Sequence, residues 1–378
     1  MIKQKTHTMN KLKLIVLSVS ILFVSKVNSQ VITMDLGGQN HSGVYKTNPL
    51  KKFSQVRWKI KLDANGGENM IMKDHVIYAN GGKGLRSDTS RKGFFFAIDS
   101  RSGSIIWQDS IHRYVSTPTM KDSMLYYGSD DLDSKIRALN RFNGKIIWQF
   151  PLNRNACWPP ALCKDKAFFG DHNGDWYVVN NITGKQLFKK NINAAICCVP
   201  SVVDDVVYYM DLKGALHAFN ADNYADSIIY ETSAGLNNPP VIVDNIAYIV
   251  NGRGFVYAVD LKTKRLIWTY KIDDSMYRSP SVSDKVLTVI TSNQHIYAFD
   301  KFTGKVLWIS DKTGLGYTNT TIVENIVYVG CADNYLYAFD LNTGLELWKF
   351  KSNAAINTPL VDNGVVYFIS GNYLYALE

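Results

Sequence analysis

The stretch "YLYAFDLNTGLELW", residues 335–348, decides the fold of this 378-residue chain. An alternating aromatic run ends at Asp340, a turn carries Thr343-Gly344, and a second apolar run ends at Trp348. Alternation on both sides of an Asp/Asn- and Gly-containing turn is the signature of a β-hairpin. The Asp accepts hydrogen bonds from the turn amides. The Gly supplies a left-handed backbone.

The same hairpin recurs as "FFFAIDSRSGSIIW" (94–107), "KIRALNRFNGKIIW" (135–148), "DWYVVNNITGKQLF" (175–188), "FVYAVDLKTKRLIW" (255–268) and "HIYAFDKFTGKVLW" (295–308). A weaker copy is "ALHAFNADNYADSIIY" (215–230), and a truncated one, "YLYALE" (373–378), ends the chain. A second anchor precedes each copy: Pro118, Pro160, Pro200, Pro240, Pro280 and Pro359, with Thr320 in one slot and Met70 heading the first. The first unit is stretched by "GGKGLRSDTSRKG" (81–93), whose glycines read as a flexible connection.

Each unit holds four short strands, and eight such units mean a β-propeller. The last unit stops after its third strand. "VRWKIKL" (56–62) supplies the fourth, with Trp58 in the repeat's Trp slot. The expected fold is all-β: an eight-bladed β-propeller of four-stranded antiparallel blades, closed by an N-terminal strand that completes the last blade. Closure protects edges that an open array exposes. The propeller takes residues 56–378, behind a lead segment at 30–55. Trp58, Trp107, Trp148, Trp268, Trp308 and Trp348 share one position, with Phe188 and Tyr230 as substitutes, and are expected to pack between blades.

Residues 1–29 read as a secretory signal peptide, with lysines before an apolar run from Leu14 to Val24 and cleavage after Ser29. Met9 is an alternative start, and no cysteine stands near the cleavage point for lipid attachment. The expected mature chain is exported to the periplasm or secreted, monomeric and without a membrane span. Losing the five lysines of the leader, which has no acid, takes the formal charge from +9 to +4. That is too weakly basic for a nucleic-acid footprint.

The A-x-D-x-x-T-G-x-x-x-W repeat resembles that of the pyrroloquinoline-quinone (PQQ) dehydrogenases, whose superfamily includes the non-enzymatic outer-membrane assembly factor BamB family. The resemblance covers residues 56–378. For the dehydrogenases it implies PQQ on the propeller axis, a Ca²⁺ held by acidic and Asn side chains, an Asp base, a Trp below the cofactor and a vicinal disulfide above it. Cys197-Cys198 and Trp158 invite that comparison. The residues leading into the first strand of each blade gather around one channel mouth, with Glu68, Trp158, Cys197, Cys198, Tyr277, Arg278 and Tyr317 as its candidate contact residues. One carboxylate among amides makes a poor Ca²⁺ site. No CxxCH haem motif is present, and His217 and His295 sit in strands as structural residues.

The sequence therefore assigns no catalytic residue, no cofactor and no metal. Minimal blades most resemble the BamB type: an exported non-catalytic scaffold for protein–protein interactions in the cell envelope. Its implied partners are the outer-membrane assembly machinery or unfolded outer-membrane proteins, met through loops at one face and outer strand edges. A PQQ- and Ca²⁺-dependent quinoprotein dehydrogenase, or a small-ligand-binding propeller using the mouth, is the alternative. The first-blade insertion around Arg86 and Arg91 is a second candidate patch. Of the five cysteines, 157, 163, 197, 198 and 331, a Cys157–Cys197 bridge, a Cys197–Cys198 ring and free thiols all stay open.

Overall fold

A computed structural model describes residues 37–83, 92–112, 116–129, 134–153, 158–235, 238–276, 278–293, 295–311 and 318–378. Eight four-stranded antiparallel sheets form the blades of a propeller, each running in chain order from its innermost strand A to its outermost strand D. The A strands are Asn65–Lys73, Thr119–Lys121, Ala161–Cys163, Ser201–Val203, Val241–Val243, Ser281–Val282, Thr321–Val323 and Leu360–Asp362, for blades 1 to 8. Blade 8 takes its D strand from the start of the chain: Val56–Lys61 pairs with Tyr373–Leu377. Trp58 thereby faces Ala376, as Trp107 faces Ala97 and Trp348 faces Ala338.

These Trp side chains join neighbouring blades. Each indole Nε1 donates to a backbone carbonyl at the C–D turn of the next blade: Trp58 to Ser100, Trp107 to Arg141, Trp148 to Asn181, Trp268 to Lys301 and Trp308 to Leu341, at 2.8–3.0 Å. The turn glycine has two reasons to be there. Gly344 has φ +73°, and a Cβ on it would lie 2.6 Å from the Trp308 ring. Gly103, Gly144, Gly184 and Gly304 meet the preceding blade's Trp in the same way. Two blades lack the glycine, carrying Tyr224 and Lys264 at positive φ. The blades before them are the two with Phe188 and Tyr230 in the Trp slot, and Tyr224 packs its ring 4.9 Å from Phe188. Trp and Gly are thus exchanged together across the seam.

The first-blade insertion departs from expectation. Gly81, Gly82 and Lys83 belong to strand B, Val76–Lys83, and pair with Phe94, Gly93 and Lys92. They extend a hairpin instead of forming a flexible connection. Arg86 and Arg91 lie outside the described residues.

The lead segment acquires a role that the sequence does not announce. Residues 39–43 run around the inner rim, where the A strands end. The amides of Val202, Ile242, Val282 and Ile322 donate to the carbonyls of Gln39, Asn40, Ser42 and Gly43 at 2.8, 3.1, 2.7 and 2.9 Å. Val44 forms a parallel bridge with Ile322. The chain then passes blade 8, where Gly364 donates to Asn48. At Leu50 it reaches the seam between blades 7 and 8, and from there it enters the closing strand.

Candidate interaction site

Two ends of the channel and one circumference are available for recognition. At the D–A end, the connection between blades 3 and 4 folds onto the B–C turns of both blades. Ile196 donates to Asp171 of blade 3, and Leu212 of blade 4 donates to Ala195. This places Cys197 and Cys198 directly ahead of Pro200, but the structure does not offer them as mouth residues. Both are buried, at 2% and 3% exposure, and Cys198 packs in the apolar core that blades 3 and 4 share. Both are free thiols, with no vicinal ring between them. Cys157 lies outside the described residues.

The slot explains Cys198. Its Sγ meets the amide and carbonyl of Met210, the last residue of its own B strand, at 3.3 Å each. Ser116 Oγ accepts from the amide of Gly128, and Thr318 Oγ1 donates to the carbonyl of Gly330, each at the end of strand B. Ser, Cys and Thr therefore do one job at one repeat position, tying a D–A connection to its own blade. Burial, with the Asp171 charge adding to it, pushes the Cys197 thiol up to about 11. Burial pushes Cys198 up to about 12. Thiolate character, which redox chemistry needs, is suppressed.

The other predicted mouth residues divide. Trp158 is half-buried against the same core. Arg278 is half-buried. Glu68 lies in strand A of blade 1, and its side chain is outside the description, as are Tyr277 and Tyr317 altogether. Among the described residues, no group of three or more His, Cys, Asp or Glu is placed to hold a metal ion. The described mouth does not fit a PQQ–Ca²⁺ pair: its two cysteines are separate and buried, Cys198 is engaged with the Met210 backbone, and no cluster of carboxylates converges there. His217 lies in strand C of blade 4, whereas His295 lies just ahead of its strand, Ile296–Asp300. His295 Nδ1 lies 2.8 Å from the carbonyl of Ser310. His217 lies between Asp211 and Asp226, 3.4 Å from each.

The circumference carries a repeated feature. Every D strand is the outer edge of its sheet. Just before the Trp slot, Ile106, Ile147, Leu187, Ile267, Leu307 and Leu347 are 41–51% exposed. Only the closing strand carries a cation there, Arg57. Apolar side chains on open strand edges are unusual in a well-protected fold, because such edges invite pairing.

Fold and repeat together define a propeller of the quinoprotein-like class. Within it, the family model described as outer membrane protein assembly factor BamB matches residues 52–150, 132–225 and 225–378, and the chain belongs to that family. The BamB structure from Moraxella catarrhalis superposes with a TM-score of 0.70 at 18% identity, covering 86% of this chain and 97% of that one. A europium-containing methanol dehydrogenase superposes with a TM-score of 0.74 at 13% identity, over 90% of each chain. Such distant likenesses establish the shared fold alone. Among curated proteins, the quinoprotein alcohol dehydrogenase PedH of Pseudomonas putida is 27% identical over 188 residues. That match covers 42% of this chain and 29% of the enzyme, so the chain spans under a third of that relative's length. Among the described residues, no helix is long and apolar enough to cross a membrane.

Proposed function

We propose that this protein is a non-catalytic scaffold of the bacterial envelope, with a BamB-like part in outer-membrane protein assembly. Residues 56–378 are the working propeller, and residues 1–29 direct it to the periplasm. The observation that carries the reading is the belt of exposed apolar residues on open outer strands, in a chain of this family. An unfolded outer-membrane protein is rich in alternating strands whose backbone groups need partners. An open edge provides those partners, and the belt adds apolar contact. Trp158 and Arg278 at the D–A mouth supply a second contact, to the assembly machinery.

The test is equilibrium binding of a urea-unfolded outer-membrane β-barrel protein, followed by fluorescence anisotropy on dilution. The Ile147→Lys/Leu307→Lys double variant should bind about tenfold more weakly. Unchanged affinity in a folded double variant removes the outer strands from the reading. A rise in melting temperature that requires both PQQ and Ca²⁺ would overturn the non-catalytic assignment.

A further inference from the structure

The inner rim at the A–B end of the channel already accepts an added strand, because the lead segment occupies it. Across blades 4 to 7, the channel-facing amides of Val202, Ile242, Val282 and Ile322 all donate to this segment. Blades 2 and 3 have the same geometry. Met120 opposes Leu125 and Leu162 opposes Ala167, as Val202 opposes Val207. Their amides point the same way, yet among the described residues neither has a backbone acceptor. The lead segment reaches blade 3 only with a side chain: Gln39 Nε2 donates to the Leu162 carbonyl at 3.0 Å.

Within the described residues, the chain turns away from those blades. His41 donates to the Gly38 carbonyl at 3.0 Å, turning the backbone. Gly37 lies against the Val44 backbone, toward blade 7. Beside Gln39, a cavity of about 430 Å³ spans blades 2 to 4, lined by Met120, Leu162 and Val202 within and by Lys121, Lys164 and Asp204 at its rim. Lys164 is held by Asp205 and Asp222 at 2.9 and 2.8 Å, and Lys121 donates to the Lys164 carbonyl. Asp204 has no ion pair among the described residues. Lys121 and Lys164 stand against Asp204, Asp205 and Asp222, two cations to three carboxylates, so the rim carries a net charge of −1.

We propose that the inner edges of blades 2 and 3 accept an extended segment of a partner polypeptide, continuing the rim strand that the lead segment begins. The Met120 and Leu162 amides donate to its carbonyls, an apolar side chain enters the cavity, and a lysine or arginine meets Asp204. This is an internal site, separate from the outer strand edges. It stands or falls independently of them.

The probe is an acetylated, amidated heptapeptide of alternating valine and threonine with one central lysine, titrated into the full mature chain. Amide hydrogen exchange reads where it binds. Slowed exchange at Met120 and Leu162, with Val282 and Ile322 unchanged, is expected. Asp204→Lys, a surface change, should weaken binding about tenfold. Leu162→Pro removes one inner-edge donor and should weaken both peptide binding and the peptide-dependent protection at Met120. No binding at millimolar peptide overturns the proposal. So does protection confined to outer D strands, or an affinity indifferent to Asp204→Lys.

Discussion

Trp348 donates its indole Nε1 to the carbonyl of Leu50 at 3.1 Å, across 298 residues of sequence. Every other seam Trp finds its acceptor in the next blade's C–D turn. Blade 8 has no such turn, because its C and D strands come from opposite ends of the chain. The lead segment supplies the missing acceptor, which also receives Tyr328 Oη at 3.0 Å. Phe53 adds a ring 6.2 Å from Trp348, in place of the turn glycine.

Trp348→Phe should therefore cost about 1 kcal/mol for the lost hydrogen bond, plus a smaller packing loss. Removing residues 37–53 should cost clearly more than Trp348→Phe and Tyr328→Phe combined, since the inner-rim bonds go as well. Urea denaturation of the three proteins checks the order. Equal losses would mean that the rim bonds contribute nothing.

Gly344→Ala forces a Cβ into a left-handed residue and to within 2.6 Å of the Trp308 ring. The expected loss is about 2–4 kcal/mol. In a Trp308→Phe background part of it should vanish, giving a coupling of about 1 kcal/mol in a double-mutant cycle. Lys264→Ala occupies the same turn position without a Trp beneath and should change stability by less than about 1 kcal/mol. Additivity at the Trp308–Gly344 pair would refute the seam account.

His217 takes a strand-C slot that is Tyr in blades 3, 5, 6, 7 and 8. Its ring stacks 4.5 Å from Tyr209, and Asp226 also receives Lys190 of blade 3 at 3.1 Å. Burial opposes its charge, but the Asp211 and Asp226 carboxylates outweigh burial and raise its pKa above 6.5. A raised folded pKa means stability that is full below about 6.5 and lost as pH rises through the folded value. Melting temperature should thus fall between pH 6 and pH 9 by an amount that His217→Tyr removes. A variant with the wild-type pH profile would sink this assignment.

The buried, elevated thiols of Cys197 and Cys198 should resist a disulfide reagent at pH 8 in the native protein and react on unfolding. Mass spectrometry after alkylation locates the label. Modification of either residue within minutes in the folded state would contradict the burial described above.

Much of this was legible because repeats write packing into side chains. The hairpin at 335–348 fixed blade number, strand order and the Trp seam, and Trp58 revealed the closing strand. The pairing of Trp with Gly was also readable, since Tyr224 and Lys264 follow the two blades that lack Trp. So was the Cys198 slot, once Ser116 and Thr318 are placed beside it; adjacency to Cys197 had drawn attention to the wrong relationship. The inner-rim segment was not legible. Its bonds run from A-strand amides to the carbonyls of Gln39, Asn40, Ser42 and Gly43, and backbone groups are the same whatever the side chain.

The closing strand has a consequence for the order of events. Gln55 and Glu378 meet through their side chains at 2.7 Å, though 323 positions separate them. A chain made or threaded from its N-terminus offers its first strand long before the partner exists. Contacts of this span form late and slowly. Until the final residues arrive, the eighth blade lacks two of its four strands at least, and the ring remains an open arc. A ring whose closing strand, Val56–Lys61, pairs only with Tyr373–Leu377 cannot lock until both ends of the propeller meet.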